Sequence, residues 1–202
     1  MDNIALSDLK LNHYGQRCTK LAAQQPPKIV FKVLLCGSFA VGKTSLVFRF
    51  VEGAFKHKAM ATVGANFLVK KLDFRKDGVT YEAVMQLWDV SGTIRDIQDV
   101  AEAFFLGAKA VFFVHDLSRD WTREDILDWH ERVTTVAGED ILSTVIGNKL
   151  DLVTEAEEIH SASQDIAERI GAGKYFLTSA KTGSGVSKAF EELANEYCRK
   201  VA

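Results

Sequence analysis

The segment Gly37-Ser38-Phe39-Ala40-Val41-Gly42-Lys43-Thr44 has the spacing G-x-x-x-x-G-K-T, between the apolar run KIVFKVLLC and the segment SLVFRFV. A glycine-rich turn leading from a strand into a helix presents backbone N–H groups and a positive helix end to anionic oxygens. At this spacing the anion is a nucleotide's phosphate chain, cradled by Gly37 through Ser45. Lys43 would place a point charge on the outer phosphates, and the Thr44 hydroxyl would ligate Mg²⁺. Such loops favour small residues because the chain must approach the anion closely. Phe39 is the residue that does not fit.

Three further groups complete the chemistry. Asp89-Val90-Ser91-Gly92 closes the strand-like run YEAVMQLWD. Asp89 at a strand terminus would hold Mg²⁺, directly or through water, and Gly92 would let a backbone N–H approach the terminal phosphate. Asn148-Lys149-Leu150-Asp151 follows STVIG, and the Asp151 carboxylate can accept from both the N1–H and the exocyclic amine of guanine. Adenine lacks that donor pair and would leave the carboxylate poorly matched, a difference that reaches roughly 10⁴-fold in sites built on such hydrogen bonds. Ser179-Ala180-Lys181 follows the short run KYFL and could offer a backbone N–H to the guanine carbonyl.

These residues need a scaffold that brings them to one edge, and the hydropathy pattern supplies one. Strands are expected over Val30–Leu35, Asn66–Phe74, Tyr81–Asp89, Ala110–Val114, Ser143–Gly147 and Tyr175–Leu177. Helices are expected over Lys43–Val51, Ile97–Phe105, Thr122–Ala137, Ser161–Ile170 and Gly185–Arg199. RKDG at Arg75–Gly78 separates two strand-like runs and reads as a hairpin turn. The rest alternates strand with helix, which gives an α/β fold: a mostly parallel sheet of six strands, flanked by five helices on its two faces. Ligands of such sheets sit at the carboxyl ends of the strands, and each motif above falls at one.

The whole-chain properties narrow the class. A length of 202 residues with 47% hydrophobic and 26% charged residues is globular, and a net charge of -2 gives no pull toward nucleic acid or anionic lipid. Cys18, Cys36 and Cys198 are too scattered for a disulfide framework or zinc site, which points to a reducing, cytoplasmic setting. Pro26-Pro27 separates a loosely amphipathic leader, residues 1–27, from the domain at 28–202; the leader reads as a tail or as a docking helix. Met1-Asp2 does not fit N-myristoylation, and the position fourth from the end is Arg199 rather than a prenylatable cysteine, so no membrane anchor is expected. Cys198 then reads as a buried residue of the last helix, and Lys56-His57-Lys58 as a solvated basic run.

The set G-x-x-x-x-G-K-T, D-x-x-G, N-K-x-D and S-A-K resembles the Ras-superfamily small GTPases over about Phe31–Tyr197, and ATVGANF with QLWD looks most like the Rab branch. The resemblance implies Mg²⁺–GTP and GDP binding, GTP hydrolysis, two switch segments, and effector, exchange-factor and GTPase-activating partners. It implies that Thr62 contacts Mg²⁺ and the terminal phosphate, and that Phe55 packs edge-on against guanine. Phe67, Trp88 and Phe104 match an aromatic triad shown to effectors, though ordinary packing explains them equally well.

Two departures bear on turnover. A glutamine commonly follows D-x-x-G in the family and orients the attacking water; here that position is Thr93, which is shorter and whose single hydroxyl cannot both accept from the water and donate to the phosphate at that reach. Phe39 stands where glycine or serine is usual, and its bulk crowds the space needed by that glutamine and by an incoming arginine finger. The expectation is a GTP-binding switch, with Lys43, Thr62, Gly92 and Thr93 at the reacting end and slow hydrolysis, unless Arg95, Asp96 or Gln98 carries the reaction. A hydrolysis-deficient GTP-binding interaction module is the alternative. A phosphate-loop small-molecule kinase would leave N-K-L-D and S-A-K unexplained.

Overall fold

The largely apolar, β-branched-rich run Lys28–Cys36 leads straight into the glycine-rich loop and forms the strand on which the site is hung. In the computed structural model, which describes residues 9–11, 17–19, 25–55, 62, 64–93, 103–154 and 156–202, this is β3. Helix α1 (Lys43–Glu52) follows it, then β4 (Ala65–Lys76) and β5 (Val79–Val90). The second half alternates β6 (Ala110–Asp116), α2 (Trp121–Ala137), β7 (Leu142–Asn148), α3 (Ala156–Arg169), β8 (Lys174–Leu177) and α4 (Val186–Val201). Residues 103–105 are helical, as expected for the end of a fifth helix, whose remainder lies outside the described residues. Lys56-His57-Lys58, Arg95, Asp96 and Gln98 also lie outside them.

The main sheet has six strands in the order β4-β5-β3-β6-β7-β8. Only β4 and β5 are antiparallel, joined at Asp77-Gly78 where Lys76 pairs with Val79; β3 runs parallel to both β5 and β6. The chain moves outward from β3 in both directions, so a crevice opens at the carboxyl ends of β3 and β6. The strand ends at Cys36, Val90, Asp116 and Asn148 all lie on that edge.

Alternation along the strands feeds two cores. Phe31, Val33, Leu35 and Phe112 face a cluster containing Leu46, Phe50, Phe190 and Leu193 of α1 and α4. Leu34, Cys36 and Phe113 face the other, with Ile126 and Trp129 of α2 and Ile166 of α3. Burial on both faces explains why β6 reads as an unbroken apolar run up to His115-Asp116. Cys198 is fully buried on α4, and burial pushes its thiol up to about 11.

The described residues of the leader form a short antiparallel pair, β1 (Leu9–Leu11) with β2 (Arg17–Thr19), and its other residues up to 24 lie outside the described ones. One helix boundary needs correction. Helix α3 begins at Ala156, earlier than expected, because Ala156, Glu157 and Glu158 are helix-compatible residues with no breaker before Ser161.

Candidate nucleotide-binding site

The edge opens into a cavity of about 360 Å³ lined by Phe39, Ala40, Gly42, Lys43, Thr44, Ser45, Phe55, Thr62, Ser91, Gly92, Asn148, Lys149, Asp151, Leu152, Ala180 and Lys181. Four separate motifs therefore meet on one wall.

At the phosphate end the loop is shaped by close approaches. Gly37 (φ 143) leaves no room for a side chain against the Val114 carbonyl, nor Gly42 (φ 100) against the Asn148 amide. Left-handed backbone at a residue with a side chain falls on Ala40 (φ 59), a conformation that costs about 1–2 kcal/mol. Phe39 is not in that region, so its bulk, not strain, is what sets it apart. It lines the cavity with 54% of its surface exposed. Lys43 is buried and donates to the carbonyls of Gly37 (2.7 Å) and Ser38 (2.9 Å). Burial lowers its ammonium to about 8, against the opposing pull of Asp89.

Next to it three side-chain oxygens converge. Thr44 Oγ1 donates to Asp89 Oδ2 at 2.5 Å and lies 3.0 Å from Thr62 Oγ1, which is 3.4 Å from the same carboxylate oxygen. Asp89 is 1% exposed, burial raises its carboxyl above the usual range, and its Oδ1 has no hydrogen-bond partner among the described residues. A buried, orphaned carboxylate oxygen beside two hydroxyls is a hard-donor set suited to Mg²⁺. Among the described residues no group of three or more His, Cys, Asp or Glu side chains gathers elsewhere as a metal centre.

Gly92 abuts the phosphate loop so tightly that a Cβ there would overlap the Phe39 amide. Thr93, by contrast, is exposed, outside the lining, and its hydroxyl lies 2.9 Å from Ser91 Oγ.

At the base end Asn148 works as a strut rather than an open contact. Its Nδ2 donates to the Val41 carbonyl (2.9 Å), and its Oδ1 accepts from the Ala180 N–H (3.1 Å) and Thr178 Oγ1 (3.2 Å). The fully buried Val41 thus serves through its backbone. Asp151 Oδ1 accepts from Ser179 Oγ at 2.6 Å and its Oδ2 lies 3.4 Å from Lys181 Nζ, which hold the carboxyl below its ordinary range.

Some participants have no motif. Asp116, at the end of β6, accepts from Lys149 Nζ (2.7 Å), Arg119 Nε (2.6 Å) and the Ser118 hydroxyl (2.7 Å). Burial alone would raise its carboxyl, but these bonds hold it at about 2. Arg119 Nη2 also reaches the Phe39 carbonyl at 3.3 Å, so one carboxylate ties the phosphate loop to the base loop. A charge ending the apolar run AVFFVHD was a visible signal for it. Ser38 Oγ donates to Asp125 Oδ2 at 2.5 Å across to α2, and Arg49 holds the S-A-K turn; neither has a local signal.

Phe67 and Trp88 meet edge-on at 5.3 Å, and Trp88 and Phe104 tilt together at 6.1 Å. Phe67 is 50% exposed, while Trp88 and Phe104 pack partly into the second core. Among the described residues no helix is long and apolar enough to cross a membrane.

Comparison with known proteins follows the same outline. A family model, the Ras family, matches residues 32–199. The Ypt/Rab-type GTPase YPT7 of Saccharomyces cerevisiae is 36% identical over 173 residues, covering 83% of this chain and 81% of that protein. Ras-related protein Rab-12 of Homo sapiens is 29% identical over 187 residues, covering 93% and 75%. Ras-related protein Rab-3A of Homo sapiens is 28% identical over 191 residues, covering 95% and 83%.

Proposed function

The chain belongs to the Ras family, near its Rab branch, and from that premise we propose that it is a guanine-nucleotide switch that binds Mg²⁺–GTP and GDP and hydrolyses GTP slowly. Lys43 and the loop N–H groups bind the phosphates, and Asp151 with the S-A-K turn reads guanine. Thr44, Thr62 and Asp89 would hold Mg²⁺, which when bound would supply positive charge to offset that of the phosphates. Thr62 and Gly92 sense the terminal phosphate, and their ordering in the GTP state changes which effector, exchange or activating protein is bound.

The slow-turnover reading is carried by one observation: the Thr93 hydroxyl is engaged by Ser91 outside the cavity while Phe39 lines it. No water-orienting group then faces the reacting end from the position after D-x-x-G. Single-turnover hydrolysis of radiolabelled GTP tests this. A rate well below that of a glutamine-bearing Rab-type protein is expected, and an equal rate overturns it. GTP rather than GDP co-purifying with the protein is the corresponding equilibrium result.

The same geometry gives a metal prediction. Ionising Asp89 is costly, because burial disfavours its charge and one of its oxygens has no hydrogen-bond partner among the described residues. Asp89→Asn is expected to raise the Tm of the EDTA-stripped, nucleotide-free protein by about 2–4 °C, the shift that ~1 kcal/mol produces at this size. It is also expected to abolish the slowing of GDP release by Mg²⁺. An unchanged Mg²⁺ effect on release would remove Asp89 from the cation site.

A further inference from the structure

Arg49 stands on α1, away from the base, yet its guanidinium makes three hydrogen bonds, all to backbone carbonyls. Nε donates to Ala180 O at 2.8 Å, Nη2 to Lys181 O at 2.7 Å and Nη1 to Gly53 O at 2.7 Å. Two of these acceptors are consecutive carbonyls of the turn that walls the cavity at Ala180 and Lys181. In a planar trans peptide the C=O and the following N–H point opposite ways, so fixing one fixes the other. With the Ala180 carbonyl held by Arg49, which is not part of the cavity lining, the Lys181 N–H is turned away from Arg49, while Lys181 itself lines the cavity.

The rest of the turn's donors are committed. The Ser179 N–H goes to Ser184 O (2.9 Å), that of Ala180 to Asn148 Oδ1 (3.1 Å), that of Thr182 to Ser179 Oγ (3.1 Å) and that of Gly183 to Ser179 O (2.8 Å). Among the described residues the Lys181 N–H has no such partner. The geometry points to Arg49 as a positioning residue for guanine: by gripping the Ala180 and Lys181 carbonyls it aims the Lys181 N–H at the base's O6. The third bond matters as well. Gly53 donates its own N–H back to the Arg49 carbonyl at 3.0 Å, so the planar fork is anchored at the end of α1 and cannot swivel. A lysine, with one ammonium on a flexible stem, cannot hold two carbonyls and Gly53 in this way.

The inference rests on the guanine reading above, and the test separates the two. Dissociation constants for GDP, 6-thio-GDP and IDP are measured by competition on the wild type, Arg49→Ala and Arg49→Lys. 6-Thio-GDP keeps the N1–H and amine but replaces O6 with sulfur, a larger and weaker acceptor; IDP keeps O6 and lacks the amine that Asp151 accepts. The wild type is expected to prefer GDP over 6-thio-GDP by about tenfold, the worth of one net hydrogen bond. In Arg49→Ala that preference falls to within about threefold and in Arg49→Lys it is intermediate, while the GDP-to-IDP ratio stays unchanged in both. If the alanine variant fails to fold, the lysine variant decides by the same two ratios. Equal weakening of all three ligands, with the sulfur preference intact, overturns the role of Arg49. A wild type that binds IDP and ADP as tightly as GDP overturns the guanine reading itself.

Discussion

Replacing Asp151 with asparagine is expected to weaken GDP binding by about 10³–10⁴-fold and to bring in xanthosine diphosphate as the preferred ligand. The Asp151 carboxylate lines the cavity, is kept ionised by the Ser179 hydroxyl at 2.6 Å and by Lys181, and has no donor of its own. Against guanine it would receive two donors, N1–H and the amine, in charge-assisted bonds. Asparagine offers one acceptor and one donor without the charge, so its NH₂ meets the guanine amine head-on. Xanthine has a carbonyl in place of that amine, and the pattern matches again. Competition of GDP and XDP against a fluorescent nucleotide reads the change directly. GDP affinity within tenfold of the wild type, with no gain for XDP, would show that Asp151 does not read the base.

The nucleotide chemistry is local in sequence. A phosphate loop needs glycine where Gly37 and Gly42 pass within contact of Val114 and Asn148, and short-range spacing records that need. The strands were legible because burial on both faces leaves β6 and the second half of β3, Val33–Cys36, an almost continuous apolar run. What escaped reading is what the tertiary fold alone creates. Arg49 and Ala180 are 131 residues apart, and an arginine on a helix surface is indistinguishable from a solvated one until the turn packs beneath it. The fold uses both ends of the Asn148 amide between the loop and the S-A-K turn, a role that its place in N-K-x-D does not spell out. The strain at Ala40 was equally hidden, since alanine says nothing of its φ.

The change with the largest expected gain in turnover is a pair. Phe39→Gly and Thr93→Gln are each expected to alter single-turnover GTP hydrolysis by less than about threefold, and together to accelerate it about 10²-fold, the lower end of what a positioned proton-transfer or water-orienting group contributes. The reasoning is steric and chemical at once. Thr93 is short and exposed, its hydroxyl lies 2.9 Å from Ser91 Oγ, and it is outside the lining, so it does not reach into the cavity. A glutamine there has the reach and both an acceptor and a donor. Its path into the cavity, however, begins at Gly92, which is in contact with the Phe39 amide, and Phe39 lines the space it must enter. Clearing the ring alone opens room with nothing to fill it; adding the amide alone leaves it excluded. Residues in contact couple, so the pair should exceed the sum of its parts. Because Phe39 is not in the left-handed region, Phe39→Ser serves as a second partner without added backbone freedom and should give the same coupling. GDP affinity should stay within a few-fold throughout, since Lys43, Thr44 and Asp151 are untouched. A double variant no faster than the product of the singles would mean that the ring and the threonine do not limit hydrolysis together, and that the slow step lies elsewhere in the site.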